Sequence, residues 1–234
     1  MIDTATEVLA VAAMQDGVIA ARETVHIPRG HSRLLQPAIL SVLAACGWQP
    51  RNLDAIGVGI GPGSYTGVRI GVSTAKAMAS ALAIPLIPVS TLAALAQAAC
   101  LHISLADGAT VMPLLYARRN RAFGAICRVE NGCCVNVVDP SVEPISTWLQ
   151  HEDVDAIIDD FPTAVELPTS GCQARVMLSQ VGSTFADGLA LVVARSGSDA
   201  LTGLSIHHLT PNYALPVQAE VQLQAKGALC RGQV

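Results

Sequence analysis

One segment, Gly59 to Gly71, constrains the fold of this sequence more than any other. It follows residues 54–60, whose apolar run predicts a buried strand, and it leads into a predicted helix at about 68–83. Residues 84–89 then predict a second strand, and Ser90 is a suitable N-cap for the next helix. Strands that alternate with helices in this way predict an α/β fold.

The glycine-rich loop between strand and helix has two interpretations from the residues alone. Backbone N–H groups of such a loop can bind an anion, helped by the helix N-terminus. Alternatively, the glycines form a tight turn that packs against a neighbouring element. Val68 stands where a P-loop has lysine, and the glycine spacing differs from the dinucleotide fingerprint. On the first interpretation, the weak cofactor-binding candidates in the loop are Gly61, Gly63, Ser64 and Thr66.

The predicted helix after the loop carries small residues on more than one face. One ridge consists of Gly67, Gly71, Ala75 and Ala79, and a second set consists of Ser73, Ala77 and Ala81. Small residues four positions apart let two helix backbones approach closely. The ridge can pack on the chain's own sheet or on a partner's helix, and we expect both faces of this helix to be covered.

An earlier segment also predicts a helix, because apolar residues recur at helical spacing from Leu34 to Cys46. Ser32 is the predicted N-cap of this helix, and Gly47 is predicted at the position just past its end.

Two hairpins suggest a duplicated plan. Asp16-Gly17 and Asn131-Gly132 each join two apolar runs, as in two-residue turns that need positive φ, and the turns lie 115 residues apart (131 − 16). We therefore predict two related lobes, residues 1–106 and 107–210. A C-terminal segment, 211–234, is expected to return to the first lobe.

Composition predicts association with a partner. Half of the residues are apolar (51%) and only 14% are charged, so we expect a partner to cover part of the surface. The net charge of −4 disfavours autonomous nucleic-acid binding. Seven cysteines without a C-x-x-C pair, and an N-terminus without a basic signal-peptide region, predict a cytoplasmic protein with reduced thiols. No apolar run approaches the roughly 20 residues of a membrane span, so no membrane association is expected.

The segment Gly61-Pro62-Gly63-Ser64-Tyr65-Thr66-Gly67-Val68-Arg69-Ile70-Gly71 resembles the signature of the TsaB family. Lys76 and the downstream Pro88–Leu92 agree with it. So do residues 2–6, His31-Ser32, 117–123 and 211–213. The resemblance is extensive over about the first 130 residues and thinner beyond them.

This resemblance implies an actin-like, sugar-kinase-like fold of two related lobes with mixed sheets flanked by helices. It implies a non-catalytic dimerisation subunit for threonylcarbamoylation of a tRNA adenosine next to the anticodon. The implied partners are the catalytic paralogue TsaD, the small ATPase TsaE and, in isolation, a second copy of the chain. Contact with tRNA is expected through the complex only. The chain itself is expected to need no cofactor, with ATP or ADP and metal held by the partner subunits.

The resemblance also implies that the two first-lobe helices form a helical bundle with the partner. The residues expected at that interface are Leu34, Leu35, Ala38, Ile39 and Val42 on the first helix, and Val68, Gly71, Val72, Ala75, Lys76 and Ala79 on the second.

Two rival functions remain open at this point. An active sugar-kinase-like ATPase would use Asp3, which matches the aspartate that holds Mg²⁺ in actin-like ATPases, but Ala5 replaces the glycine that normally follows. A metallopeptidase-like protein would need the His-x-x-x-His pair that places two imidazoles on one helical face, and no such pair occurs. The sequence further departs from the family at Tyr116, where an aspartate is usual, and at Ala214-Leu215.

Overall fold

A computed structural model describes residues 1–151, 153–161, 172 and 174–213. The strands are β1 (Ile2–Asp3), β2 (Val8–Gln15), β3 (Val18–His26), β4 (Ile56–Gly59), β5 (Leu86–Val89), β6 (Thr110–Tyr116), β7 (Arg121–Glu130), β8 (Cys133–Pro144), β9 (Ala156–Asp159) and β10 (Ala174–Met177). The helices are α1 (His31–Ala45), α2 (Tyr65–Leu82), α3 (Thr91–Ile103), α4 (Ile145–Trp148), α5 (Gly182–Arg195) and α6 (Ser205–His208).

The ten strands form two five-stranded sheets with the same topology. The first sheet has the order β3-β2-β1-β4-β5, and the second has the order β10-β9-β6-β7-β8. In each sheet three consecutive strands form an antiparallel meander, and the next two strands add in parallel beside its first strand. The α/β class and the duplicated plan predicted from the sequence are therefore confirmed.

The predicted hairpin turns have the expected backbone conformation. Asp16 and Gly17 have φ values of 52° and 78°, and Asn131 and Gly132 have values of 52° and 72°. These left-handed conformations match the twist of the flanking strands, which is why Asx-Gly pairs favour such turns.

Helices and sheets alternate in layers. The helices α1 and α2 cover one face of the first sheet, where a cluster including Leu9, Leu35 and Val72 is buried. The helices α3 and α5 lie between the two sheets, with α5 packed on β2 and β3 and α3 packed on the second sheet. The far face of the second sheet is covered by α4, whose Trp148 is buried.

The position of α5 between the sheets does not follow the predicted division of the chain into two lobes. α5 belongs by sequence to the predicted second lobe, yet it packs on strands of the first sheet. Its C-terminal side is followed by an antiparallel bridge between Leu201 and Leu86. The boundaries at residues 106 and 210 stay a prediction, and most of the segment 211–234 lies outside the described residues.

Helix ends were predicted with mixed success. Ser90 caps α3 by accepting a hydrogen bond from the Ala93 N–H, and Gly47 lies in the left-handed region just past α1, as expected. Ser32 as N-cap of α1 is wrong, because the helix begins at His31 and Gly30 takes the cap position with φ of 122°. That φ suits glycine and is strained for serine. Among the described residues, none of the helices is both long and apolar enough to cross a bilayer.

Candidate functional site

Asp3 stands at the end of β1 and is completely buried. Its Oδ1 accepts a hydrogen bond from the Ala5 N–H at 2.7 Å, and its Oδ2 accepts one from the Thr91 hydroxyl at 2.7 Å. The Thr91 hydroxyl in turn accepts from the Gly61 N–H at 3.1 Å. The carboxylate therefore links β1, the N-terminus of α3 and the glycine-rich loop.

Burial also changes the acidity of this carboxyl group. Desolvation raises the pKa of Asp3 from 3.8 to about 6, while the hydrogen bonds from Ala5 and Thr91 act in the opposite direction. Removal from water disfavours the charged form, and donors that point at a carboxylate favour it. Burial therefore makes the charge of Asp3 costly, and the two hydrogen bonds offset part of that cost.

The glycine-rich loop packs against the chain segment that follows β1. The Ser64 N–H donates to the Ala5 carbonyl at 2.7 Å, and a Cβ on Gly63 would stand 2.9 Å from the Ala5 Cβ. These contacts match the interpretation of the loop as a tight turn against a neighbouring element. Ala5 therefore lies directly against the loop, with its carbonyl engaged by Ser64.

The five weak cofactor candidates therefore occupy two different environments. Asp3, Gly61 and Gly63 contact the chain's own backbone, and Ser64 caps α2 by accepting a hydrogen bond from the Gly67 N–H at 3.3 Å. Thr66 lies exposed on the first turn of α2. The cofactor role of these five residues stays a prediction. No cluster of three or more metal-ligating side chains occurs in the part of the chain that the structure describes.

The inner face of α2 packs directly on β1 and its exit. The Thr4 hydroxyl donates to the Gly67 carbonyl at 2.7 Å, and a Cβ on Gly71 would stand 2.5 Å from that hydroxyl oxygen. Ala75 and Ala79 continue this buried face. The small-residue ridge therefore lets α2 approach its own sheet closely.

Most of the residues predicted at the partner interface are buried within the chain itself. Eight of them belong to the buried cluster under α1 and α2, and Gly71 is buried with them: Leu35, Ala38, Ile39, Val42, Val68, Val72, Ala75 and Ala79. Only Leu34 and Lys76 are half-buried. The interface role of the eleven residues stays a prediction, but in the folded chain most of them face the sheet and offer little surface to a partner.

The opposite side of α2 is open to solvent. Ser73, Ala77 and Ala81 lie exposed at four-residue spacing, and we call these three residues the outer ridge. Beside it a groove between α1 and α2 is lined by residues that include Gln36, Thr66 and Ile70. Leu40, one turn beyond Gln36 on α1, is 61% exposed. This surface has the small and apolar character of a helix-packing face without being covered by the described chain.

A basic and aromatic cluster borders this surface, and only an indirect signal for it is present in the sequence. The Arg69 guanidinium lies 4.2 Å from the centre of the Tyr65 ring, and its Nε donates to the Tyr213 hydroxyl at 2.7 Å. The two tyrosine rings are 4.9 Å apart. Such cation–π contacts favour arginine over lysine. Tyr213 belongs to the segment 211–213 that carries part of the resemblance, but its contact with α2 was not foreseen.

Lys76 has a related structural role. Its Nζ donates to the carbonyls of His207 and Leu209, both at 2.9 Å. The Asn212 N–H, next to Tyr213 in the chain, donates to the Ile60 carbonyl at 2.8 Å. Residues 207–213 therefore lie along the first lobe, and Lys76 serves the chain's own packing.

These features define a class of protein: a two-lobed α/β chain whose first-lobe glycine-rich loop packs against its own backbone at Ala5. A solved structure titled YeaZ from Pseudomonas aeruginosa has the same architecture, with a TM-score of 0.68, 25% identity, and alignment over 92% of this chain and 96% of that one. This likeness confirms the predicted actin-like fold.

Sequence comparisons give the family. The profile of TsaD, tRNA N6-adenosine threonylcarbamoyltransferase, matches residues 19–214, and this chain belongs to that family. The tRNA threonylcarbamoyladenosine biosynthesis protein TsaB of Bacillus subtilis is 36% identical over 149 residues, or 64% of this chain and 63% of that protein. The TsaB protein of Escherichia coli is 38% identical over 133 residues, or 56% of this chain and 55% of that protein. The predicted resemblance to TsaB is thereby confirmed, with matched regions that span less than two thirds of these relatives.

Proposed function

We propose that this chain is a non-catalytic subunit of the system that makes threonylcarbamoyladenosine in tRNA. In this role it binds a TsaD-type paralogue through the outer ridge and the adjoining surface of α1. It pairs with a second copy of itself when the paralogue is absent, and a TsaE-type ATPase joins the assembly. ATP or ADP and metal belong to the partner subunits, and tRNA is reached through the complex in the cytoplasm.

The observation that carries this proposal is the closed loop of the first lobe. Asp3 has both carboxylate oxygens engaged by Ala5 and Thr91, and Ser64 donates its N–H to Ala5 rather than leaving it open toward a ligand. A phosphate-binding loop needs free backbone donors. The N–H groups of Gly61 and Ser64 are used within the chain, and this suits a binding role better than phosphoryl transfer.

The surface of α2 supports the partner role. Its inner ridge is used within the chain, while the outer ridge presents Ser73, Ala77 and Ala81 with no covering element among the described residues. Small side chains at that spacing allow a second helix to approach closely. An uncovered helix face of this kind also accounts for part of the high apolar content of the chain.

The first test is reconstituted threonylcarbamoyl transfer to tRNA with TsaD- and TsaE-type proteins, with this chain present and then omitted. We expect transfer to collapse on omission and the chain alone to show no transfer. Transfer that proceeds equally well without the chain would refute the role. Titration of the isolated chain with ATP and Mg²⁺ addresses the rival ATPase function, for which saturable binding is the expected sign.

A matched pair of variants tests the surface. Ala77→Leu adds bulk on the outer ridge, and Ala194→Leu adds the same bulk at an exposed position of α5, on the other side of the first sheet. We expect the first variant to weaken association with the paralogue at least tenfold and the second to leave it unchanged, with both chains folded. Equal affinities of the two variants would place the interface elsewhere.

A further inference from the structure

Two thiols from distant parts of the sequence meet near the C-terminal end of α3. The Sγ atoms of Cys100 on α3 and Cys134 on β8 are 2.9 Å apart, although the two residues are 34 positions apart in the sequence. Both residues are free cysteines. A disulfide has an S–S distance of about 2.05 Å, so a movement of less than about 1 Å would join them.

A buried glutamine holds the two elements in this register. Gln97, one turn before Cys100, accepts a hydrogen bond from the Cys134 N–H at 3.0 Å and donates from its amide nitrogen to the Gly132 carbonyl at 3.0 Å. Gln97 is 1% exposed. Because both ends of this amide are engaged by the β7–β8 hairpin, the hairpin and its Cys134 are fixed against α3.

The environment of the pair favours the thiolate at Cys100, whereas it raises the pKa of Cys134, first through the hydrogen bond between the two thiols and then through burial. A hydrogen bond from Cys134 lowers the pKa of the Cys100 thiol, whereas burial raises the pKa of Cys127 to about 12. The thiolate is the form that reacts with oxidants. Cys134 is half-buried, so the pair lies at the margin of the core where a small oxidant can reach it.

We propose that Cys100 and Cys134 are a peroxide-sensitive pair that closes into an intramolecular disulfide. One thiolate attacks an oxygen of hydrogen peroxide and becomes a sulfenic acid, and the O–O bond breaks to release hydroxide. The other sulfur then attacks the sulfenic sulfur, the S–O bond breaks, and its thiol proton leaves with the departing oxygen as water. In total, two thiols and one hydrogen peroxide give one disulfide and two water molecules, and a thiol reductant reverses the oxidation of the pair.

The bond would tether the two halves of the molecule. It fixes β8 of the second sheet to α3, and the first residue of α3, Thr91, hydrogen-bonds Asp3 in the first lobe. This inference stands apart from the proposed function, since it rests on the thiol geometry and not on a partner.

The test is a peptide map of the full chain. The chain is exposed to an equimolar amount of hydrogen peroxide, its remaining thiols are alkylated, and the non-reduced digest is analysed by mass spectrometry. We expect a linked pair of peptides that contain Cys100 and Cys134, two hydrogens lighter than their sum, which disappears after reduction.

The adjacent Cys133 provides the matched control. Its Sγ donates to the Asn131 carbonyl, and it alternates with Cys134 along β8, so it points to the other side of the strand. Cys133→Ser should keep the linked peptides, and Cys134→Ser should lose them. Three results with the parent chain would overturn the proposal. Both thiols are still alkylated after peroxide treatment, either one is found as stable sulfinic acid, or Cys133 is linked in place of Cys134.

Discussion

The substitution Gly71→Ala in α2 has two physical effects on stability that act in opposite directions. Alanine favours a helix interior over glycine by about 1 kcal/mol, so helix propensity alone predicts a more stable protein. The packing of α2 on the first lobe predicts the reverse. The new Cβ would stand 2.5 Å from the Thr4 hydroxyl oxygen, a separation that Cβ atoms do not tolerate.

The size of the loss follows from what must move. Thr4 is 1% exposed, and its hydroxyl is held by donating to the Gly67 carbonyl. Rotating it away breaks a buried hydrogen bond, which costs about 1 kcal/mol or more. Shifting α2 from β1 instead costs about 1–3 kcal/mol, as overpacking of cores does. After the gain in helix propensity of about 1 kcal/mol is subtracted, we expect Gly71→Ala to lower the free energy of unfolding by roughly 1 kcal/mol.

Urea unfolding of the purified chain measures this difference. Ser73→Ala is the control, because it lies two residues further along the same helix on the exposed side. We expect it to change the free energy of unfolding by less than about 0.5 kcal/mol. A Gly71→Ala chain that is about 1 kcal/mol more stable than the parent would refute the packing of α2 on Thr4, since propensity would then act unopposed.

Three further predictions follow from other sites. The folded pKa of Asp3 is raised from 3.8 to about 6, so the folded chain binds this proton more tightly than the unfolded chain, and stability falls as pH rises between those values. Relative to the parent, Asp3→Asn should therefore gain about 2 kcal/mol of unfolding free energy from pH 4 to pH 7. Arg69→Lys removes the Nε donor to Tyr213 and should speed hydrogen exchange at the Asn212 amide. Closing the Cys100–Cys134 disulfide should raise the free energy of unfolding by about 4 kcal/mol, the expectation for a loop of this length.

Each of these three predictions has a result that would contradict it. Burial also raises the pKa of Asp160 to about 6, but that residue contributes equally to both chains, so only their difference reports on Asp3, and a pH-independent difference contradicts the argument. Unchanged exchange at Asn212 would mean that Arg69 does not hold the 207–213 segment. For the disulfide, equal urea midpoints of the oxidised and reduced chains would show that the bond strains the folded state as much as it constrains the unfolded one.

Local signals in the sequence determined the elements of this protein well. The Asx-Gly pairs at 16–17 and 131–132 predicted both hairpins, because a two-residue turn needs positive φ at positions that are read from the sequence directly. Ser90 likewise predicted the start of α3. The matched pair of hairpins suggested two related lobes, and the two sheets share one topology. The misplaced N-cap of α1 is instructive, since Gly30 and Ser32 both suit a helix start and only the path of the chain selects between them.

Only the tertiary structure decided which faces of these elements are used. The sequence shows small residues at four-residue spacing on two sides of α2, and spacing alone does not tell which side faces the sheet. That choice depends on Thr4, which lies 63 positions before Gly67 and meets it only in the folded chain. The Arg69–Tyr213 contact spans 144 positions and the two thiols at Cys100 and Cys134 span 34. Such pairs leave no periodic trace in the sequence, because they are brought together by the packing of whole elements rather than by the conformational preferences of neighbouring residues.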